Sequence, residues 1–154
     1  MKFHAISKEK ENILKNVPTP SYVLDEENLI KNLERLKHIQ DSTGTRILLA
    51  QKCFSTTALY PLIAKYLWGT VASGIYEARL AHEEFHGDGS RKLENHVFEP
   101  AYRDKDMMEL DGICDHIIFN SWNQFYKHRA SCCKASLGIR INPECSTQPK
   151  EHAI

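Results

Sequence analysis

In GTVASGIYEARLAHEEFHGDG (residues 69–89), the first five residues read as a strand, and Gly74 to Phe85 then reads as a helix that Gly87 and Gly89 stop. One strand followed by one helix is the repeating unit of a parallel sheet, so the fold turns on whether this unit recurs on either side.

It does recur. Upstream, Leu29, Ile30, Leu33, Leu36 and Ile39 follow helical spacing after the cap candidate Asp25, and the segment ends before Gly44. Residues 47–51 (ILLAQ) then form the first strong strand pattern. Ser55 is a candidate cap for a helix through Leu67, with Pro61 placed early or kinking it. Downstream come HVFE (96–99), a short helix near Asp104 to Leu110, HIIF (116–119), a helix from Trp122 to about Arg129, and SLGIRIN (136–142). Five strands alternating with helices predict an α/β fold with a parallel sheet and right-handed crossovers, either doubly wound or a (β/α) barrel. Neither G-x-G-x-x-G nor G-x-x-x-x-G-K-[ST] is present, which counts against a nucleotide-binding doubly wound sheet. A full barrel takes about eight units and about 250 residues; the 154 residues here hold about five units, a partial barrel.

The chain has 42% apolar residues, enough for one continuous core, and 20 basic against 20 acidic residues. No block of like charge stands out, so nucleic acid and anionic membrane are poor default partners. No apolar stretch of signal-peptide or membrane-spanning length occurs, and a cytoplasmic protein is expected. Five cysteines, Cys53, Cys114, Cys132, Cys133 and Cys145, include no C-x-x-C pair and suit free thiols. Residues 1–19 and about the last ten are expected to be loosely structured.

Lys52 is the first chemical candidate. Side chains alternate along a strand, so it shares a face with Leu48 and Ala50, while Ile47, Leu49 and Gln51 share the other. At the carboxyl end of a barrel strand, partial desolvation would free a neutral amine able to form a Schiff base. Its plain alternative is a solvated lysine that snorkels to water. A rival site is HEEFH (82–86), which matches the zincin pattern H-E-x-x-H with Glu83 as general base. Gly87 and Gly89 should end that helix at the second histidine, which makes a charged last turn of a surface helix the simpler account. Arg140 alternates with Gly138 and Asn142, and could offer its donor fork to an oxygen-rich ligand or form an ion pair across the rim. Glu77 lies in the first turn of its helix, where a carboxylate is favoured electrostatically.

Several stretches in order, TPSYVLDEENLIKNL (19–33), ILLAQKCFS (47–55), GTVASGIYEARLAHEEF (69–85), FEPAY (98–102) and LGIRINPE (137–144), resemble the amino-terminal half of the carboxynorspermidine/carboxyspermidine decarboxylases. These are pyridoxal 5'-phosphate enzymes of the alanine racemase-like barrel group. The resemblance implies that Lys52 holds the cofactor as a Schiff base, that Arg140 lies near its ring face and phenolic oxygen, that Glu77 lies near the same floor, and that Ser73 lines the pocket. It implies decarboxylation of a polyamine precursor in spermidine or norspermidine biosynthesis, and a homodimer for the full-length family. It divides the chain into an extension at 1–19 and the first part of the barrel at 20–154, with no counterpart of the family's carboxyl-terminal β domain. A chain so limited is expected to be inactive by itself; a non-catalytic cofactor-binding remnant is the alternative, and an HExxH zinc hydrolase a distant one.

Overall fold

The alternation HVF and HIIF becomes, in the computed structural model, a strict alternation of half-buried and buried positions along two neighbouring strands. The structure describes residues 7–145. Five strands, β1 (Leu48–Ala50), β2 (Gly69–Ala72), β3 (Glu94–Phe98), β4 (His116–Phe119) and β5 (Ser136–Ile139), pair in parallel in the order β1-β2-β3-β4-β5. The helices are α1 (Lys8–Leu14), α2 (Glu26–Thr43), α3 (Tyr60–Ile63), α4 (Ile75–Glu84), α5 (Met107–Ile113) and α6 (Trp122–His128). Each crossover adds the next strand to the same edge, and the order never reverses. That is the order of a barrel arc, and it decides between the two architectures the sequence left open.

The register fixes the faces. Thr70, Asn95 and Ala72, Val97, Ile117 align in rows, as do Val71, His96, His116 and Ser136 between them. On the first face Ala72, Val97, Ile117 and Phe119 are buried against Ile75 and Ala78 of α4 and Met107 and Leu110 of α5. Burying such side chains contributes about 1.5–3 kcal/mol each. On the second face Leu48, Ala50, Val71, His96, Phe98, His116, Ile118 and Gly138 are all only half-buried.

Polar side chains stitch the helix layer to the strand ends. Asn95 is buried; its Nδ2 donates to the carbonyls of Ala78 (2.9 Å) and Ile113 (3.1 Å), and its Oδ1 accepts from Thr70 Oγ1 (3.2 Å). Asp111, also buried, accepts from the N–H groups of Cys133, Lys134 and Ala135 at 2.9–3.2 Å, holding the segment before β5 to α5. Burial pushes its carboxyl up, but these three backbone donors outweigh that and hold it below the usual range.

The described residues fall into two compact units divided between Lys31 and Asn32. In the first, Ser7 caps α1, so the segment expected to be loose contains a helix, and Lys10 pairs with Asp25 and Glu27. Asp25 caps α2 as the sequence indicates, accepting from Asn28 N–H at 3.1 Å. In the second unit, the helix expected from Ser55 to Leu67 shrinks to a 3-10 turn at Thr57–Leu59 and the single turn α3. Pro61 sits in that first turn, where its missing N–H costs nothing, but it lets no helix run through it. The strand expected over 136–142 ends at Ile139, one residue before Arg140. The expected looseness of the last residues falls on 146–154, outside the described residues.

Candidate functional site

β1 ends in a tight turn. Gln51 N–H still donates to Val71 O (3.2 Å), after which the N–H groups of Cys53 and Phe54 both return to Ala50 O (3.0 and 3.3 Å). Gln51 is 1% exposed: its Nε2 donates to Glu77 O (2.9 Å), and its Oε1 accepts from Tyr60 OH (3.1 Å). A buried amide with both ends satisfied holds this residue firmly to the helix layer. Lys52, next in the chain, is exposed and enters no ion pair or hydrogen bond among the described residues.

Ser73 ends β2 and is exposed; its N–H donates to Glu77 Oε2 at 2.7 Å. Glu77, three residues past Gly74, thus reaches back to the start of its own helix in the manner of a capping box. Its charge, added to burial, pushes the Tyr60 phenol up. Close by is Glu99, which the sequence did not single out. Its Oε2 is buried without a hydrogen-bond partner, and a Cβ placed at Gly74 would lie 3.7 Å from its carboxyl group. Burial, with the neighbouring charge of Asp106, pushes the Glu99 carboxyl up.

Arg140 follows β5, and its N–H continues the ladder to Phe119 O at 2.9 Å. Its guanidinium lies 5.0 Å from the ring centroid of Phe98, over the half-buried face of the sheet. The alternative expected from the sequence, an ion pair across the rim, does not form among the described residues. Lys52, Ser73, Glu99 and Arg140 all follow the last residues of their strands, so these groups gather at the carboxyl-terminal end of the sheet. The structure joins Ser73 to Glu77 directly and gives Lys52 and Arg140 no anionic partner among the described residues.

The opposite end carries a different group. Glu94 and His96 lie on β3 and His116 on β4; His96 Nε2 is 3.0 Å from Glu94 Oε2, and the two imidazoles have centroids 4.2 Å apart. Arg46 pairs with the other oxygen of Glu94. The signal was present in the sequence as matching histidines at even spacing in HVF and HII, but it needs the register to be seen. HEEFH does not assemble: α4 stops at Glu84, His86 bonds back to Glu83 O at 2.7 Å, and Glu94, His96 and His116 are the one grouping of three such side chains within reach of an ion among the described residues. His82 and His86 instead border a cavity of about 500 Å³ with Arg91, Lys92 and Asp115, far along the chain's strands from Lys52.

No protein-family model matches the chain. It is 35% identical over 130 residues to the carboxynorspermidine/carboxyspermidine decarboxylase of Herminiimonas arsenicoxydans, covering 84% of this chain and 34% of that protein. The enzyme of the same description from Campylobacter jejuni is 36% identical over 135 residues, covering 88% and 34%. A carboxyaminopropylagmatine decarboxylase from Synechocystis is 38% identical over 142 residues, covering 88% and 35%. The crystal structure of carboxynorspermidine decarboxylase from Campylobacter jejuni, complexed with norspermidine, superposes with a TM-score of 0.72 at 34% identity, over 79% of this chain and 31% of that one. The chain spans about a third of the length of the curated relatives it matches.

Proposed function

Because this chain belongs to the carboxynorspermidine/carboxyspermidine decarboxylases, matching their amino-terminal part, we propose that its strand ends form one wall of a pyridoxal phosphate site for decarboxylating a carboxylated polyamine precursor. The observation that carries this is Lys52: an exposed amine, without an anionic partner among the described residues, delivered at the carboxyl end of β1 by a turn that the buried Gln51 locks.

The residues present fit such a group. Lys52 Nζ and the Arg140 guanidinium lie at the same end of the sheet without an ion pair among the described residues, and a phosphate-bearing aldehyde needs an amine and a donor fork. β1 and β5 are the sheet's two edges, so on a flat sheet four spacings of about 4.8 Å would part them. In a closed barrel of about eight strands these two would face each other across one lumen. When bound, the cofactor supplies an electron sink for the pair left behind as carbon dioxide departs. Lys52 would hold the group through its Nζ amine, and the same amine would serve to carry a proton at that atom. Glu77 keeps the Ser73 N–H in place and so fixes the rim of β2. Arg140 positions an anionic oxygen.

Five strands furnish only one wall, so the chain by itself should bind the cofactor weakly and release little or no carbon dioxide. This favours, for the isolated chain, the second reading of a binding module without turnover. The decisive experiment is incubation with pyridoxal phosphate, borohydride reduction and peptide mapping. A reduced adduct on Lys52 that disappears in Lys52→Arg supports the proposal; labelling scattered over surface lysines overturns it. Carbon dioxide release from carboxynorspermidine by the purified chain would overturn the expectation of inactivity.

A further inference from the structure

We propose that Glu94, His96 and His116 form a binding site for one divalent transition-metal ion of the zinc class, at the amino-terminal end of the same sheet face. The backbone places them together. Glu94 and His96 are two residues apart on β3, hence on one face, and His96 is the register partner of His116 on β4. One ligand atom from each residue lies within 4.8 Å of the others. Bonds of about 2.0–2.2 Å to a shared ion bring such atoms to somewhat over 3 Å apart. The His96–Glu94 edge, at 3.0 Å, is a hydrogen bond, so an ion would take the place of its proton and draw the three ligand atoms together from within 4.8 Å.

The donor chemistry selects the ion. Two imidazole nitrogens and one carboxylate oxygen suit zinc and its first-row neighbours, whereas calcium and magnesium take oxygen alone. Arg46 engages one oxygen and leaves the other beside His96, orienting the carboxylate as outer partners of metal ligands do. With Glu94 and His96 16–21% exposed at their side chains, the site is shielded yet open enough for water to fill a fourth position. Ligation would tie β3 to β4 at the end of the sheet remote from Lys52. The inference does not depend on the decarboxylase reading.

The test is titration of the purified chain with zinc against a chromophoric chelator, and with cobalt(II) followed by visible absorbance. The expected result is about one equivalent of zinc, and cobalt d–d bands without the intense near-ultraviolet band of a thiolate ligand, since five cysteines compete for the same ion. His96→Ala and His116→Ala should each weaken zinc binding by about 100-fold or more, Glu94→Gln less, and the double variant His82→Ala/His86→Ala not at all. If an alanine variant fails to fold, the imidazole NMR signals of the unaltered chain decide: zinc must shift those of both His96 and His116. Absence of stoichiometric zinc, a thiolate band with cobalt, unshifted imidazole signals, or undiminished affinity in folded His96→Ala and His116→Ala would each overturn the site.

Discussion

The two faces of the sheet are made from the same strands and obey opposite rules. Toward the helices, Ala72, Val97, Ile117 and Phe119 are apolar and buried, and the polar groups there, Asn95, Gln51 and Asp111, have their hydrogen bonds satisfied. Toward the open side the residues are chemically mixed: exposed Lys52 and Arg140 at one end, half-buried His96, His116 and Glu94 at the other. One face holds the fold and the other is left free for chemistry. The division is enforced by the period of two, since a slip of one residue would exchange the roles.

The largest break in this comparison should come from adjacent residues. Phe119 is fully buried and meets Tyr102 and Phe125 edge-on at 5.4 and 5.9 Å, while Ile118 beside it faces the open side. Phe119→Ala should lower unfolding free energy by about 3–5 kcal/mol, through lost transfer and an unfilled cavity. Ile118→Ala should cost less, about 1–2 kcal/mol, since part of its surface is already in water and no packed layer of the described residues closes over it. Urea melts of the two variants check this; equal losses would mean that both faces are packed alike.

The helix face was also the legible one. The strands HIIF and GTVA announced themselves as short apolar runs between helical patterns, and Asp25 by its place before one. Strand order could not be read, because alternating units are common to both α/β architectures; only the pairing shows that it never reverses. Lys52 was legible as a strand-end residue, but the reason it leaves the core is Gln51, whose partners Glu77 and Tyr60 come from 26 and 9 residues away. Glu99 and the His96–His116 pair were missed on the same ground. Their contacts join segments whose relative register no local pattern records. The zincin motif failed conversely: it was a purely local match, and α4 ends at Glu84, before the second histidine.

A second prediction probes the charge carried on the helix side. Asp111 is held below the ordinary carboxylate range, so its ionised form favours the folded state. That contribution is fully present above the unfolded value of about 4 and is lost as pH falls through the lower folded value. Asp111→Asn should therefore cost about 1.5–3 kcal/mol near neutrality, since an amide accepts fewer of the three backbone bonds. The gap between variant and parent should narrow as the acid limb is entered. Thermal melts across that range check it; a gap that stays constant into acid would show that the carboxylate's charge contributes nothing.

The smallest effect is expected on the open face, and it is the more discriminating for being small. A Cβ built at Gly138 would fall 2.8 Å from Ile118 Cδ1, close enough that something must move. On the helix face such a clash would meet a packed neighbour, and overfilling costs about 1–3 kcal/mol. Here the obstacle is the far end of a half-buried side chain with open space on one side, so Ile118 can turn away. Alanine also restricts the unfolded chain more than glycine does, a gain of about 0.4–1 kcal/mol where the backbone conformation is compatible. Gly138→Ala should thus change stability by less than about 1 kcal/mol in either direction, judged by chemical denaturation. A loss beyond 2 kcal/mol, on the order of a core substitution, would show that the open face is as tightly filled as the helix face, and the room there for a ligand would vanish with it.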